Sequence, residues 1–298
     1  MTSAESTSTL VWQRVSDRLT DVSELVKARL TTLVLMTTVA GFILGKPPAL
    51  PWWLVIHVLV GTGLVAAGAA ILNQLLEMDS DAKMERTRDR PLPASRMTQE
   101  NALFFGALVS GVGIAYLIIT MNYLSGALAA ATLFSYLFLY TPLKKVTPLN
   151  TLVGAASGAL PPVIGWAAAT GSVSTLGWTL FAIQFLWQMP HFFAIGWLCR
   201  DDYASGQYRM LAVTDPSGKR SAAHSLFYAA LLPPVVLLPV FLQFAGWIYG
   251  TIALLTSLVY AAAALKFLRA PDTSTARRLF FMSLIYLPIV LTALILDS

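Results

Sequence analysis

Residues 73–91 read NQLLEMDSDAKMERTRDRP and close an apolar run that begins at residue 52. A run of that length crosses about 30 Å of hydrocarbon at about 1.5 Å per residue, so the polar stretch stands where a membrane helix reaches water. Asn73, Glu77 and Asp81 are spaced four apart. At about 100° per residue they drift by about 40° at each step and line one helix face over about 12 Å. Asp79 falls on roughly the opposite face. Two carboxylates and an amide are the hard oxygen donors that Mg²⁺ prefers. Arg86, Arg88 and Arg90 follow, and on a continued helix Arg86 and Arg90 share a face. Guanidinium groups just past such donors suit a diphosphate. The plainer alternative is a solvated helix end followed by a charged loop.

Composition places the whole chain in the same setting. Of 298 residues, 56% are hydrophobic and 12% charged, where a soluble domain carries about 25% charged residues. The chain reads as all-α and polytopic, and its net charge of +5 is not a nucleic-acid footprint. A single cysteine, Cys199, excludes an intrachain disulfide and a cysteine metal cluster. Residues 1–26 are Ser/Thr-rich with mixed charge, unlike a signal or transit peptide. They are expected to form a partly disordered cytoplasmic lead into an interfacial segment over 11–27, ahead of a single domain over 27–298. The absence of transit character points to a bacterial cytoplasmic membrane.

Nine spans are expected, at about 29–46, 52–75, 101–120, 122–140, 149–168, 176–198, 222–243, 245–265 and 278–296. Asn122 and Gly246 divide the two nearly continuous pairs. With the N-terminus inside, every Lys and Arg except Lys46 falls on an inside segment. The positive-inside rule therefore gives N-in, C-out and an odd number of spans. Both long inside loops, 76–100 and 199–221, begin with acids at a helix end, and polar groups at that depth mark function by default.

The second loop opens with Arg200, Asp201, Asp202 and Tyr203. Adjacent carboxylates point about 100° apart on a helix, so at most one faces a shared metal directly. Arg86, Arg90, Lys144 and Lys145 are candidate diphosphate contacts, against the alternative of topology anchors or contacts to anionic lipid. In span six, His191 follows Pro190, with Gln184 and Gln188 one turn apart on the same helix. A satisfied structural histidine, a metalloporphyrin ligand and a hydrogen-bond partner to substrate all remain open there. His57 and His224 read as structural. Pro161 and Pro162 should bend span five, and Gly154 and Gly158 should let a neighbouring helix approach closely.

Together these segments resemble a known family. Asn73, Glu77 and Asp81 look like the first motif of the UbiA-type intramembrane prenyltransferases, usually Asn-xxx-Asp-xxx-Asp. DAKMERTRDRPL at 81–92, YTPLKKVTPLN at 140–150, the Gly154–Gly165 segment, WQMPHFF at 187–193 and RDDY at 200–203 resemble its haem-farnesylating branch, as does the Lys27–Ala28–Arg29 lead-in. The resemblance implies a nine-helix bundle with a cytoplasmic-side active site. Its substrates would be farnesyl diphosphate and protohaem IX, with haem bound as substrate and Mg²⁺ as the cofactor. The product, haem O, would pass to a downstream haem A synthase. Asn73, Glu77, Asp81 and Asp201 would hold the metal, with Asp202 in a catalytic role beside them. Arg86, Arg90, Lys144, Lys145, His191 and Tyr203 would contact substrate. Two departures stand out: Glu77 replaces the usual Asp, and Ser205 stands where the second motif, Asp-xxx-Asp, has its second acid.

Three other readings remain at this stage. A related prenyltransferase acting on a quinone precursor would keep the first motif. A transporter would line a path with these polar groups, and an assembly factor would tolerate loss of the carboxylates. Clustering of the acids at the inside face, rather than at mid-membrane, favours an enzyme.

Overall fold

The computed structural model describes residues 20–46 and 52–298. Among the described residues, seven helices are long and apolar enough to cross a membrane. They are α2 (Trp52–Asp81), α3 (Gln99–Thr120), α4 (Tyr123–Leu143), α5 (Asn150–Thr170), α9 (Lys219–Phe241), α10 (Trp247–Arg269) and α11 (Thr273–Leu296). Two further helices lie in the bundle. α1 (Ala28–Leu44) is 17 residues long. α6 (Thr175–Leu198) has the length but carries Gln184, Gln188, Pro190 and His191 in its middle. The short helices α7 (Arg200–Ser205) and α8 (Leu211–Thr214) sit in the connection after α6. Asn122 and Gly246 cap α4 and α10, as expected from the sequence. The interfacial segment expected before residue 20 lies outside the described residues.

α1 to α5 pack as one group, and α6, α9, α10 and α11 as the other, joined through α5–α6 and α11–α1 contacts. α1 and α5 cross through backbone. A Cβ on Gly165 would lie 1.8 Å from Thr38 O, and one on Gly41 would lie 1.9 Å from Pro162 O. Small residues at this crossing replace side-chain packing with direct backbone contact. In the second group, Trp187 Nε1 donates to Ser283 O at 2.8 Å and the Tyr260 hydroxyl donates to Trp187 O at 3.1 Å, so these two buried aromatics have their polar ends satisfied. Trp52, Tyr123, Trp178 and Trp247 are all exposed near the starts of helices that begin at the same end of the bundle. Such a rim is the aromatic belt of a membrane interface.

Three local features shape the interior. α5 breaks after Gly158 and resumes at Pro161, where two residues without N–H groups begin a new helical segment. The end of α4 widens into a π-helix over Ser135–Tyr140, directly before Thr141 and Pro142. The extra residue per turn aims Tyr136 and Tyr140 to the same side, with ring centres 5.6 Å apart. α2 runs unbroken to Asp81, so its last two turns carry the acidic motif.

Helix does not continue past that point. Residues 82–97 form a run of turns and bends, which corrects the expectation that Arg86 and Arg90 share a helical face. Thr87 Oγ1 donates to Asp81 O at 2.9 Å and helps turn the chain. Arg90 folds back toward α2 while Arg86 points to the other polar loop.

Candidate active site

Asn73, Glu77 and Asp81 are all buried along one face of α2. Each is met by a cation from a different segment. Lys27 Nζ donates to Asn73 Oδ1. Lys144 Nζ donates to Glu77 Oε1 at 2.6 Å. Arg90 Nη1 donates to Asp81 Oδ2 at 2.7 Å. The Asn73 amide nitrogen donates in turn to Thr141 Oγ1 at 3.0 Å, and Thr141 donates to Tyr136 O in the π-helix at 2.8 Å. The row is thus assembled from the start of α1, the end of α2, the turn beyond it and the end of α4.

Sequence alone gives Lys27 no role in the site. A basic residue before a span reads as a topology anchor, and only the fold brings it to Asn73. Its backbone is left-handed, with φ 47° and ψ 54°, a conformation that a non-glycine residue keeps where surrounding structure holds it. The chain there is pinned by Gln74, whose side-chain nitrogen donates to Glu24 O and Leu25 O at 2.9 and 2.8 Å. Burial draws the Lys27 ammonium down to about 8, against the pull of Glu77. Burial also works against Lys144, but Glu77 and the oxygens of Tyr140, Tyr136 and Tyr208 outweigh it and hold that lysine well above its ordinary value. Lys144 Nζ also lies 4.5 Å over the Tyr140 ring.

The remaining expected residues divide. Arg86 Nε reaches Asp202 at 3.8 Å, which links the two acidic loops. Tyr203 packs edge-on to Tyr208 at 6.1 Å, and burial pushes its hydroxyl up to about 12. Asp201 stays outside: its carboxylate is 95% exposed and lies 3.8 Å from its neighbour Arg200. Successive residues of α7 point in different directions, so this conformation turns Asp202 toward the site and Asp201 to solvent. Lys145 is likewise exposed. Among the described residues, no three His, Cys, Asp or Glu side chains gather to hold a metal. The donors present fit Mg²⁺ in kind, being hard oxygens on one face. They are too few for an all-protein cage and fit an ion that completes its shell with phosphate oxygens and water.

Next to this row lies a cavity of about 290 Å³, at the lower end of the roughly 300–1,000 Å³ typical of small-molecule pockets. Its walls are mainly aliphatic, with Ala69 and Ala70 of α2 one turn from Asn73, and Tyr136 and Tyr140 at the lysine side. The expected polar patch of α6 does face it. Gln184, Gln188 and His191 line one wall, and Gln188 donates to Ala155 O at 2.6 Å beside the α5 break. His191 Nδ1 lies 2.7 Å from Ser283 Oγ, whose own hydrogen is donated to Phe280 O. Ser283 must therefore accept, so Nδ1 carries the proton and the neutral ring keeps its lone pair on Nε2. The ring stacks between Trp187 and Phe280, with centres 5.7 and 4.8 Å away. His57 and His224 are satisfied by the Tyr116 hydroxyl and Arg220 O, away from the site.

The profile of the UbiA prenyltransferase family matches residues 34–285, which takes in the acidic row, the π-helix and the wall carrying His191. The chain belongs to the UbiA prenyltransferase family. A UbiA relative from Solibacter usitatus, called protoheme IX farnesyltransferase, is 42% identical over 286 residues, covering 93% of this chain and 98% of that protein. Among solved UbiA-fold structures, a digeranylgeranylglyceryl phosphate synthase superposes with TM-score 0.78 at 17% identity, over 94% of this chain and 98% of its own. A UbiA homologue from Archaeoglobus fulgidus bound to DMAPP and Mg²⁺ gives TM-score 0.69 at 12% identity, over 92% and 99% of the two chains. At such identities the two structures establish the shared UbiA fold.

Proposed function

We propose that this chain transfers the farnesyl group of farnesyl diphosphate to a vinyl group of protohaem IX, with addition of water, giving haem O and pyrophosphate. The observation that carries the reading is the Asn73–Glu77–Asp81 row, met by three cations and opening beside an apolar cavity. The named activity of the Solibacter usitatus relative supplies the acceptor and the chain length of the donor. The chain spans a bacterial cytoplasmic membrane nine times, N-in and C-out, counting α1 and α6 with the other seven apolar helices. The alternation of basic residues supports that topology, in which the acidic row faces the cytoplasmic side. The catalytic domain occupies 27–298, and 1–26 form its cytoplasmic lead.

Asn73, Glu77 and Asp81, with Asp202 from the facing loop, would hold Mg²⁺, which would supply Lewis-acid neutralisation of charge as pyrophosphate departs. Lys144 and Arg90 pair with Glu77 and Asp81 and present donors to the diphosphate at the same place. Lys27, Arg86 and Lys145 add positive charge around it, and Tyr203 packs beside it against Tyr208. Together these donors stabilise the electron pair that pyrophosphate takes from the breaking C–O bond. The aliphatic wall of the cavity keeps water from the allylic carbon until the vinyl π pair has formed the new C–C bond. Water then adds to the cation left on the vinyl group and loses a proton. His191, with its lone pair on Nε2, contacts the acceptor.

The test is product analysis on purified protein in detergent given protohaem, farnesyl diphosphate and Mg²⁺, with a chelator control. A haem product heavier by one farnesyl unit and one water, with pyrophosphate released, is the expected result. Prenylation of a quinone precursor with no haem product would contradict the acceptor.

A further inference from the structure

Tyr208 lies between α7 and α8 and carries an atom that the roles above leave unexplained. The residue is 3% exposed, and its hydroxyl is shut off from solvent with no hydrogen-bond partner among the described residues. Ser80, a polar neighbour on α2, stands outside hydrogen-bonding geometry. The charged groups around the hydroxyl are Glu77, Lys144 and Asp81. Lys144 Nζ lies 5.7 Å from the ring centre. A buried polar group left unpaired costs stability, and native structures keep few of them.

The loop is built to hold the ring in that position. Gln207, just before it, has φ 60°, a left-handed conformation that a non-glycine residue rarely takes. Lys83 Nζ donates to Gln207 Oε1 at 3.1 Å, Tyr208 N donates to Tyr203 O at 2.9 Å, and Arg209 N donates to Lys144 O at 2.7 Å. Met84 and Met210 pack with the ring in a small buried cluster. Both long polar loops and the end of α4 thus converge to fix a hydroxyl that has no hydrogen-bond partner among the described residues.

We propose that Tyr208 is a substrate-contacting residue whose hydroxyl donates a hydrogen bond to a diphosphate oxygen of the prenyl donor, beside the Glu77–Lys144 pair. A neutral hydroxyl next to an ammonium offers donors to an anion whose outer atoms are all acceptors, and a diphosphate is that anion. The tyrosine keeps its proton. Its bond strengthens as the C–O bond of the donor breaks and the electron pair moves onto pyrophosphate. This inference rests on the diphosphate-donor part of the proposed function and is independent of which acceptor is prenylated.

Tyr208→Phe removes one oxygen and keeps the ring. Thermal unfolding in detergent, inhibition by inorganic pyrophosphate in the presence of Mg²⁺, and kcat and KM for each substrate are measured on the variant and the parent protein. The unfolding temperature is expected to equal or exceed that of the parent, since an unpaired buried group is lost. The inhibition constant for pyrophosphate should rise by about tenfold, the loss of one hydrogen bond to a charged group. kcat should fall by a similar factor, with KM for protohaem unchanged. Parent-like pyrophosphate inhibition and turnover would overturn the proposal, as would a lowered unfolding temperature accompanied by a changed protohaem KM. If the parent protein releases no pyrophosphate with any acceptor, the donor reading itself falls, and Tyr208 with it. Prenylation of a different acceptor would leave the Tyr208 test standing.

Discussion

Lys144 Nζ lies 2.6 Å from Glu77 Oε1, although the residues are 67 apart in the chain, and their side chains are 13% and 7% exposed. Removing one partner of such a pair leaves the other charge buried and alone, at a cost of about 3–5 kcal/mol. Lys144→Met is expected to lower the unfolding temperature markedly and abolish turnover. Adding Glu77→Gln to it should restore most of the stability and none of the activity. Thermal denaturation followed by size-exclusion chromatography reads both effects, and a single variant as stable as the parent would show that the pair holds nothing together.

The α1–α5 crossing makes a sharper demand on size. With Thr38 O only 1.8 Å from the place of a Cβ, Gly165→Ala forces the two backbones apart and should cost about 1–3 kcal/mol. Gly111, on α3, has nothing within 4 Å of the corresponding point. Gly111→Ala should be neutral or stabilising by up to about 1 kcal/mol, and comparing the two melting temperatures separates close approach from helix propensity.

At the other wall, Ser283 orients His191 from across the bundle. Ser283→Ala frees the ring to turn and to change tautomer. A roughly tenfold loss in kcat/KM for protohaem is expected, as for partners that orient a metal-binding histidine, with KM for farnesyl diphosphate unchanged. His191→Ala should lose more and should alter the visible spectrum of protein-bound protohaem. Equal loss toward both substrates would place His191 in the packing rather than at the acceptor.

Much of this arrangement is legible in the sequence because length and hydropathy are properties of consecutive residues. The apolar runs, the breaks at Asn122 and Gly246, and the oxygen row on α2 all follow from spacing alone. The π-helix at Ser135–Tyr140 does not, since a wider turn leaves the composition unchanged. Lys27 and Tyr208 are invisible for another reason. One resembles a topology anchor and the other a loop aromatic, and only tertiary packing brings them to Glu77 and Asn73. Arg86 and Arg90 keep their place beside the acids, but by a folded-back turn rather than by a shared helix face. The pair Asp201–Asp202 shows the limit of spacing arguments, which admit one inward carboxylate without saying which.

The most direct test of the account is haem O formation by Glu77→Gln and Asp81→Asn, measured under single-turnover conditions with saturating farnesyl diphosphate, protohaem and Mg²⁺. Both substitutions keep the side-chain shape and remove the charge. Folded protein in the membrane with product formation reduced by about a thousandfold or more is the predicted result, since these carboxylates hold the charge on which departure of pyrophosphate depends. Near-parental product formation by both variants would contradict the placement of the reaction at the Asn73–Glu77–Asp81 row.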